Sequence, residues 1–258
     1  MRHLQPIVGL TLIAAFVVVA LFAPMLAPYD PLRSSINMVD SPSLSHWFGT
    51  DELGRDILSR VIYGARTSLI IGFGAATCAM LIGVPIGMMA GYLRGGFDLL
   101  AVPTIDLFIA LPGLVLALII TVMVGPSLTN LVLVLGFVMW PTIARLVRGQ
   151  TLAVRETLYI EAARAVGGTP GWIIRRHVWP NIMRVVAAQF AISVSAAIFT
   201  SASLSFLGLG IPPPTPDWGG LVRAGFDFLS LNPMMSLGPG AAVTLTVMGF
   251  YLAGSSVE

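Results

Sequence analysis

No charged side chain occurs between Leu107 and Ala144, a run of 38 residues. A soluble domain normally devotes about a quarter of its residues to Asp, Glu, Lys and Arg, and it cannot hide such a run while keeping a water-facing surface. The run is also too long for one membrane crossing, which needs about 20 apolar residues for roughly 30 Å of hydrocarbon. Gly125-Pro126-Ser127 places a turn in its middle, so it reads as parts of two crossings. Over the whole chain of 258 residues, 56% are hydrophobic and only 10% charged. A soluble globular enzyme is excluded, and the question becomes how many times the chain crosses a membrane.

Six crossings are predicted. Residues 4–29 carry no charge around an apolar core at 7–22. That core exceeds the roughly 7–15 residues of a signal-peptide core and no Ala-x-Ala site follows it, which favours an uncleaved span over a secretory leader. The second span is 67–93, and the third is 99–124, interrupted only by Asp106. The fourth is 128–143 and the fifth 185–210. Asn232-Pro233 reads as cap and first turn of a sixth that ends near Gly254. Backbone groups in hydrocarbon must be bonded within the segment itself, so runs without a two-residue alternation are helices. The expected fold is all-α, a polytopic integral membrane protein with six transmembrane helices.

Charge placement orients these spans. From Arg145 to Arg184 there are seven Arg against Glu156 and Glu161, a net of +5. From Asp30 to Arg66 the net is −1, and Asp217, Arg223 and Asp227 also leave −1. Arg-rich loops stay in the cytoplasm, so the 145–184 segment lies inside, the other two lie outside, and both termini are cytoplasmic. All 14 basic residues are Arg, which removes Schiff-base chemistry and a phosphate-loop lysine. One cysteine, Cys78, allows neither an internal disulfide nor a thiolate zinc cluster. His3, His46 and His177 are too scattered for a metal-ligand pair at helical spacing. The net charge of +2 gives no nucleic-acid footprint. No catalytic residue, cofactor or metal is expected, and lipid is the one partner composition names.

Function must then lie in what interrupts the spans. After the fourth, Leu152, Tyr159, Ala163 and Val166 recur at helical spacing, and Gly167-Gly168 can end that helix. Thr169-Pro170 opens a second short helix to about Trp179, where Pro180 is expected to stop it. Such an elbow suits insertion into a partner's groove, or attachment to anionic lipid through its Arg residues. On the other side, Thr50 is expected to cap an outer helix with Asp51 and Glu52 in its first turn and Ile57, Leu58, Val61 and Ile62 as its apolar face. That helix suits a platform for a soluble binding protein or, the favoured role, a structural lid whose acids pair with Arg55, Arg60 and Arg66. The Pro212–Pro216 run should be an extended loop, and Trp47, Trp140 and Trp218 interfacial anchors. Asp106 is the only carboxylate well inside a span. It marks either a translocation path or a structural ion pair, since Arg94 and Arg145 are within reach. Pro103 and Pro112 bracket it and should bend the helix.

Several of these interruptions match a known pattern. Glu161-Ala162-Ala163, Gly167 and Pro180 resemble the Glu-Ala-Ala loop of bacterial ABC importer permeases, with His177 and Trp179 where that loop commonly has Ile and Leu. The segments His46–Asp56 and Ser205–Pro213, followed by Pro216-Asp217-Trp218-Gly219, resemble the second permease of dipeptide, oligopeptide and nickel uptake systems. The resemblance covers nearly the whole chain and departs at 254–258, where Gly-Ser-Ser-Val-Glu stops short of the Gly-Asp pair and charged tail with which such permeases usually finish. It implies type I ABC importer permease architecture in the bacterial inner membrane. Residues 1–65 would be an N-terminal transmembrane helix plus outer segment, 66–254 the transport domain with a coupling loop at about 150–180, and 255–258 a tail. It also implies a second permease subunit, two ATP-binding subunits docked on the loop, and an extracytoplasmic solute-binding protein. Dipeptides or oligopeptides are the implied substrate, with nickel or another small solute as the alternative. The chain lacks a Gly-x-x-x-x-Gly-Lys-Ser/Thr loop, so ATP hydrolysis is expected in its partners. An ion-gradient-driven secondary transporter is the rival from another class, but it calls for several intramembrane acids or inverted halves around a midplane site.

Overall fold

The computed structural model describes residues 4–255, and no β-strand occurs among them. Besides one turn of helix at Ala23–Leu26, the helices are α1 (Leu4–Leu21), α2 (Ile57–Leu93), α3 (Gly95–Ala110), α4 (Gly113–Val124), α5 (Leu128–Arg155), α6 (Leu158–Ala165), α7 (Pro170–Phe206), α8 (Trp218–Phe226) and α9 (Met234–Ser255). Four of them, α2, α5, α7 and α9, are long and apolar enough to cross a membrane alone. The segment read as the third span is not one straight helix. α3 and α4 meet at 87° across Leu111-Pro112. Proline disfavours helical backbone in the residue before it and offers no N–H. Leu111 is accordingly extended, at φ −81° and ψ 134°. Pro103, by contrast, is accommodated inside α3.

The outer segment also differs from expectation. Thr50 caps no helix; it pairs with Asp56 in an isolated bridge, and its hydroxyl donates to the Asn37 carbonyl at 2.6 Å. The helix starts at Ile57 with Asp56 as its cap, whose carboxylate accepts from the Ser59 N–H at 2.8 Å. From there α2 continues through residue 65 to Leu93, so the expected outer helix and second span are one rod of 37 residues. Asp51 and Glu52 stay in the loop before it, where Asp51 takes Arg55 at 2.7 Å and lies 3.4 Å from Arg60. The expected pairing is met only in part: Asp51 joins Arg55 and Arg60, Glu52 reaches Arg55 at 3.4 Å, and Asp56 pairs with His46 at 2.8 Å instead of an arginine. Arg66 makes no ion pair among the described residues.

The central contact is α2 against α5. Gly83, Gly87 and Gly91 stand four apart on one stripe of α2, and a Cβ on each would fall 2.5–2.8 Å from the backbone carbonyls of Trp140, Ala144 and Arg148. Small residues at this spacing let two helices approach backbone to backbone, the usual device of membrane helix pairs. The glycines and their partners ascend in the same order, so α2 and α5 run parallel, and the bent α3–α4 pair must return the chain to the side from which α2 set out.

Trp140 and Trp218 are core residues rather than interfacial anchors. Trp218 is 1% exposed; its indole N–H donates to the Val61 carbonyl at 2.9 Å and its ring meets Phe16 edge-on. It opens α8, a helix with no counterpart among the predicted elements. Trp47 is exposed.

Candidate functional site

The elbow expected at 151–180 exists, built differently from the sequence reading. α5 does not end near Ile143 but runs on to Arg155, and the amphipathic helix breaks at Glu156-Thr157, whose Thr157 hydroxyl bonds the Val154 carbonyl at 2.6 Å. Competition of this kind from a Thr side chain is a common helix terminator. α6 then begins. Ile160 and Ala163 pack into a cluster with Tyr92, Val147, Ile173 and Val178, while Glu161 and Ala162 face outward. The Glu161 carboxylate makes no hydrogen bond or ion pair among the described residues.

Gly167 closes α6 at φ +83°. Its N–H bonds the Arg164 carbonyl at 2.9 Å, and the Gly168 N–H bonds the Ala163 carbonyl at 3.0 Å. That pair of bonds is the Schellman closure of a helix, which needs left-handed backbone at Gly167. Space is not the constraint there, since nothing lies within 4 Å of a Cβ on Gly167. At Gly168 it is, because a Cβ would sit 2.6 Å from the Ala163 carbonyl.

Pro180 does not stop a helix. Pro170–Phe206 is continuous, and Ile174–Val178 adopts a π turn immediately before the proline. A proline ring collides with the carbonyl four residues back in a regular α-helix, and a wider turn gives it room. His177 lies in this turn, its ring 4.9 Å from Trp172 and 6.3 Å from Tyr159. His177 Nε2, and Nε and Nη1 of Arg155, are buried without a partner among the described residues. Around these groups the tip is apolar and open: Leu158 is 82% exposed and Val166 83%, with Trp172 half exposed. An apolar tip with uncommitted polar atoms beneath it is built for contact with another surface.

Behind the elbow, α3 is held to α5 by ion pairs. Asp106 pairs with Arg145, both half exposed, and Asp98 takes Arg148 in a two-pronged bond at 2.6 and 2.8 Å. Of the two arginines weighed for Asp106, Arg145 is therefore its neighbour, and Arg94 pairs with Glu156 at 3.2 Å. Away from the elbow, Asp217 caps α8 by accepting from the Gly220 N–H at 2.8 Å. Burial pushes its carboxyl above the usual range, against the Gly220 N–H, the Ser205 hydroxyl and the Arg60 charge.

Comparison with known proteins places this arrangement. The family described as "Binding-protein-dependent transport system inner membrane component" matches residues 83–257, two-thirds of the chain. The chain belongs to that family. A second description, "N-terminal TM domain of oligopeptide transport permease C", matches residues 5–42. The dipeptide transport system permease protein DppC of Alkalihalophilus pseudofirmus is 39% identical over 98% of this chain and 83% of its own length. The glutathione transport system permease proteins GsiD of Pectobacterium atrosepticum and Escherichia coli are 35% and 37% identical, over 100% and 94% of this chain and 86% and 80% of theirs. The inward-facing MetNI methionine ABC transporter superposes with a TM-score of 0.65 at 21% identity, over 77% of this chain and 94% of that one. The all-α permease architecture of ABC importers is thus shown, and the chain is a membrane permease subunit, not a gradient-driven carrier. Within the family, the Glu161–Gly167 elbow falls inside the matched region together with Pro180 and Asp106. Sequence reasoning had no signal for the Gly83–Gly91 stripe read as a contact, the burial of Trp218, or the Asp98–Arg148 pair, because each depends on a distant segment.

Proposed function

We propose that the chain is one of two permeases in an ATP-driven importer of dipeptides or oligopeptides, coupled to ATP-binding subunits through its elbow. The observation that carries this is the tip of α6: a glycine-closed turn presenting Leu158, Val166 and an unpaired Glu161. The partners are a second permease, two ATP-binding subunits and an extracytoplasmic solute-binding protein. Hydrolysis takes place in the ATP-binding subunits. The DppC and GsiD relatives, named for dipeptide and glutathione transport, support a peptide over nickel. Glu161, Ala162, Ala163 and Gly167 form the docking element, with Pro180 shaping the helix that carries it inward. Residues 1–65 precede a transport domain at 66–254, followed by a tail of which 256–258 lie outside the described residues. Six crossings with both termini in the cytoplasm fit the Arg bias, counting α1 and the bent α3–α4 pair as one crossing each.

Co-expression with the companion subunits and purification through a tag on this chain tests the reading. The wild-type chain should bring both ATP-binding subunits down with it. Glu161→Lys should release them while the permease pair stays together. If the elbow instead rests on anionic lipid, the added positive charge strengthens that attachment and leaves the ATP-binding subunits in place, which would refute the docking role.

A further inference from the structure

A helix face that meets lipid carries apolar side chains, because unsatisfied polar groups are strongly disfavoured in hydrocarbon. The outward faces of this bundle obey that rule: Leu81, Ile119, Leu133 and Phe199 are all exposed. One concavity mixes polar groups into an apolar wall. Between the start of α4 and the middles of α5 and α7 lies a cavity of about 310 Å³, where Thr142, Gln189, Ser193 and Thr200 stand among apolar residues such as Leu135, Met139 and Ala196. That is at the lower end of the roughly 300–1,000 Å³ of small-molecule sites. At 1.5 Å per residue, Gln189 and Thr200 stand about 8 and 24 Å beyond Arg184, the last charge before the fifth crossing. These polar groups therefore sit at membrane depth.

Their hydrogen-bonding capacity is unspent. Thr104, Thr121 and Thr244 donate their hydroxyls to the carbonyl four residues back, which is how a Thr in a membrane helix satisfies itself. The hydroxyls of Thr142 and Thr200 make no such bond, nor any other among the described residues. Gln189 makes only a long bond to the Ser193 hydroxyl, at 3.4 Å, leaving an amide hydrogen and its carbonyl oxygen open. No His, Cys, Asp or Glu lines the cavity, so a bare divalent cation finds no ligand set there. Three residues on from Thr142, on the same face of α5, Arg145 holds Asp106 and gives the cytoplasmic end of the groove both signs of charge.

We propose that this groove is the chain's half of the translocation path, and that Thr142, Gln189, Ser193 and Thr200 take up the backbone amides of an extended peptide in transit. Neutral groups that both donate and accept suit a peptide backbone whatever its side chains, and the Asp106–Arg145 pair faces the charged termini as they leave. The assignment rests on the peptide-importer reading above and adds the residues that line the route.

The test uses the complete complex, with its binding protein, in sealed vesicles and tri-alanine as the probe. Ala196→Trp fills the groove, and uptake should fall at least about tenfold, the equivalent of one decade in rate. The Ala196→Trp chain should still copurify with its companion subunits. Phe199→Trp, which faces outward on the same helix, should leave uptake unchanged. In a Cys78→Ala background, cysteines at 142 and 200 should react with a water-soluble thiol reagent and be shielded by tri-alanine, whereas one at 133 should not react. Wild-type uptake by Ala196→Trp, or no reaction at 142 and 200, overturns the groove. A wild-type complex that hydrolyses ATP normally but takes up no tri-alanine overturns the peptide cargo instead, and cysteine reactivity still decides whether the groove is aqueous.

Discussion

At the scale of the residue, Gly167 and Asp217 show two different dependences on local chemistry. Gly167 has open space around it and yet a backbone at φ +83°, so only conformation selects glycine. A β-branched side chain adopts that region at a cost of about 1–3 kcal/mol. Gly167→Val should leave membrane insertion intact and loosen the elbow, read as faster amide exchange in α6 and weaker retention of the ATP-binding subunits; Gly167→Asn, which tolerates left-handed backbone, should behave nearly as wild type. Equal effects of Val and Asn would show that the turn is not the reason for glycine here. Asp217 caps α8 from a buried position that raises its affinity for a proton. The folded chain holds that proton to higher pH than the unfolded one. The resulting stabilisation is complete below the ordinary carboxylate range and is lost as pH rises through the raised value. Asn caps a helix about as well as Asp and carries no charge. Asp217→Asn should therefore unfold at a higher temperature than the parent near pH 8, with the gap closing on acidification. Thermal unfolding of the detergent-solubilised chain at several pH values measures this, and a gap that widens toward acid would contradict the sign.

Among the elements, the α2–α5 contact is the one on which the others hang. A side chain at Gly87 would stand 2.5 Å from the Ala144 carbonyl, and backbone cannot retreat as a side-chain tip can. Gly87→Leu should cost at least the 1–3 kcal/mol typical of overpacking and appear as loss of folded protein in detergent, while Gly149→Leu, at an open position on α5, should be tolerated. Elements were legible in the sequence where the signal was local. The crossings followed from runs without charge, the elbow from Gly167-Gly168, the bend from Pro112, and the start of α9 from Asn232, whose side chain accepts from the Met234 N–H at 3.1 Å. What stayed hidden depended on packing across the fold. Pro180 reads as a stop in any local account, yet tertiary contacts at Ile173, Val178 and Ile182 hold the helix together through a π turn. Trp218 reads as an anchor until Gly64 is seen to leave room for its ring. The groove residues were invisible for a related reason: an isolated Thr or Gln in a span says nothing until its usual bond partner is found missing.

On the scale of the whole molecule, the Arg bias predicts a direction that labelling can check. With Cys78 replaced by Ala, single cysteines at Ser45 and Thr169, both exposed, should lie on opposite sides of the membrane. An impermeant thiol reagent added to intact spheroplasts should modify position 45 and spare 169. The reverse pattern would invert the orientation, and modification of both would change the number of crossings. The parallel course of α2 and α5 bears on the same point, since it obliges the bent α3–α4 segment to make one net passage. The unbroken course of α7 has a mechanical consequence. Its 37 residues form a lever about 55 Å long at 1.5 Å per residue. One end lies in the elbow and the other beside Gly208 and the Arg223 side chain of α8. A tilt of about 6° imposed at the elbow end sweeps a rod of that length through roughly 6 Å at its far end. A small push at the elbow therefore arrives at the opposite membrane face already amplified.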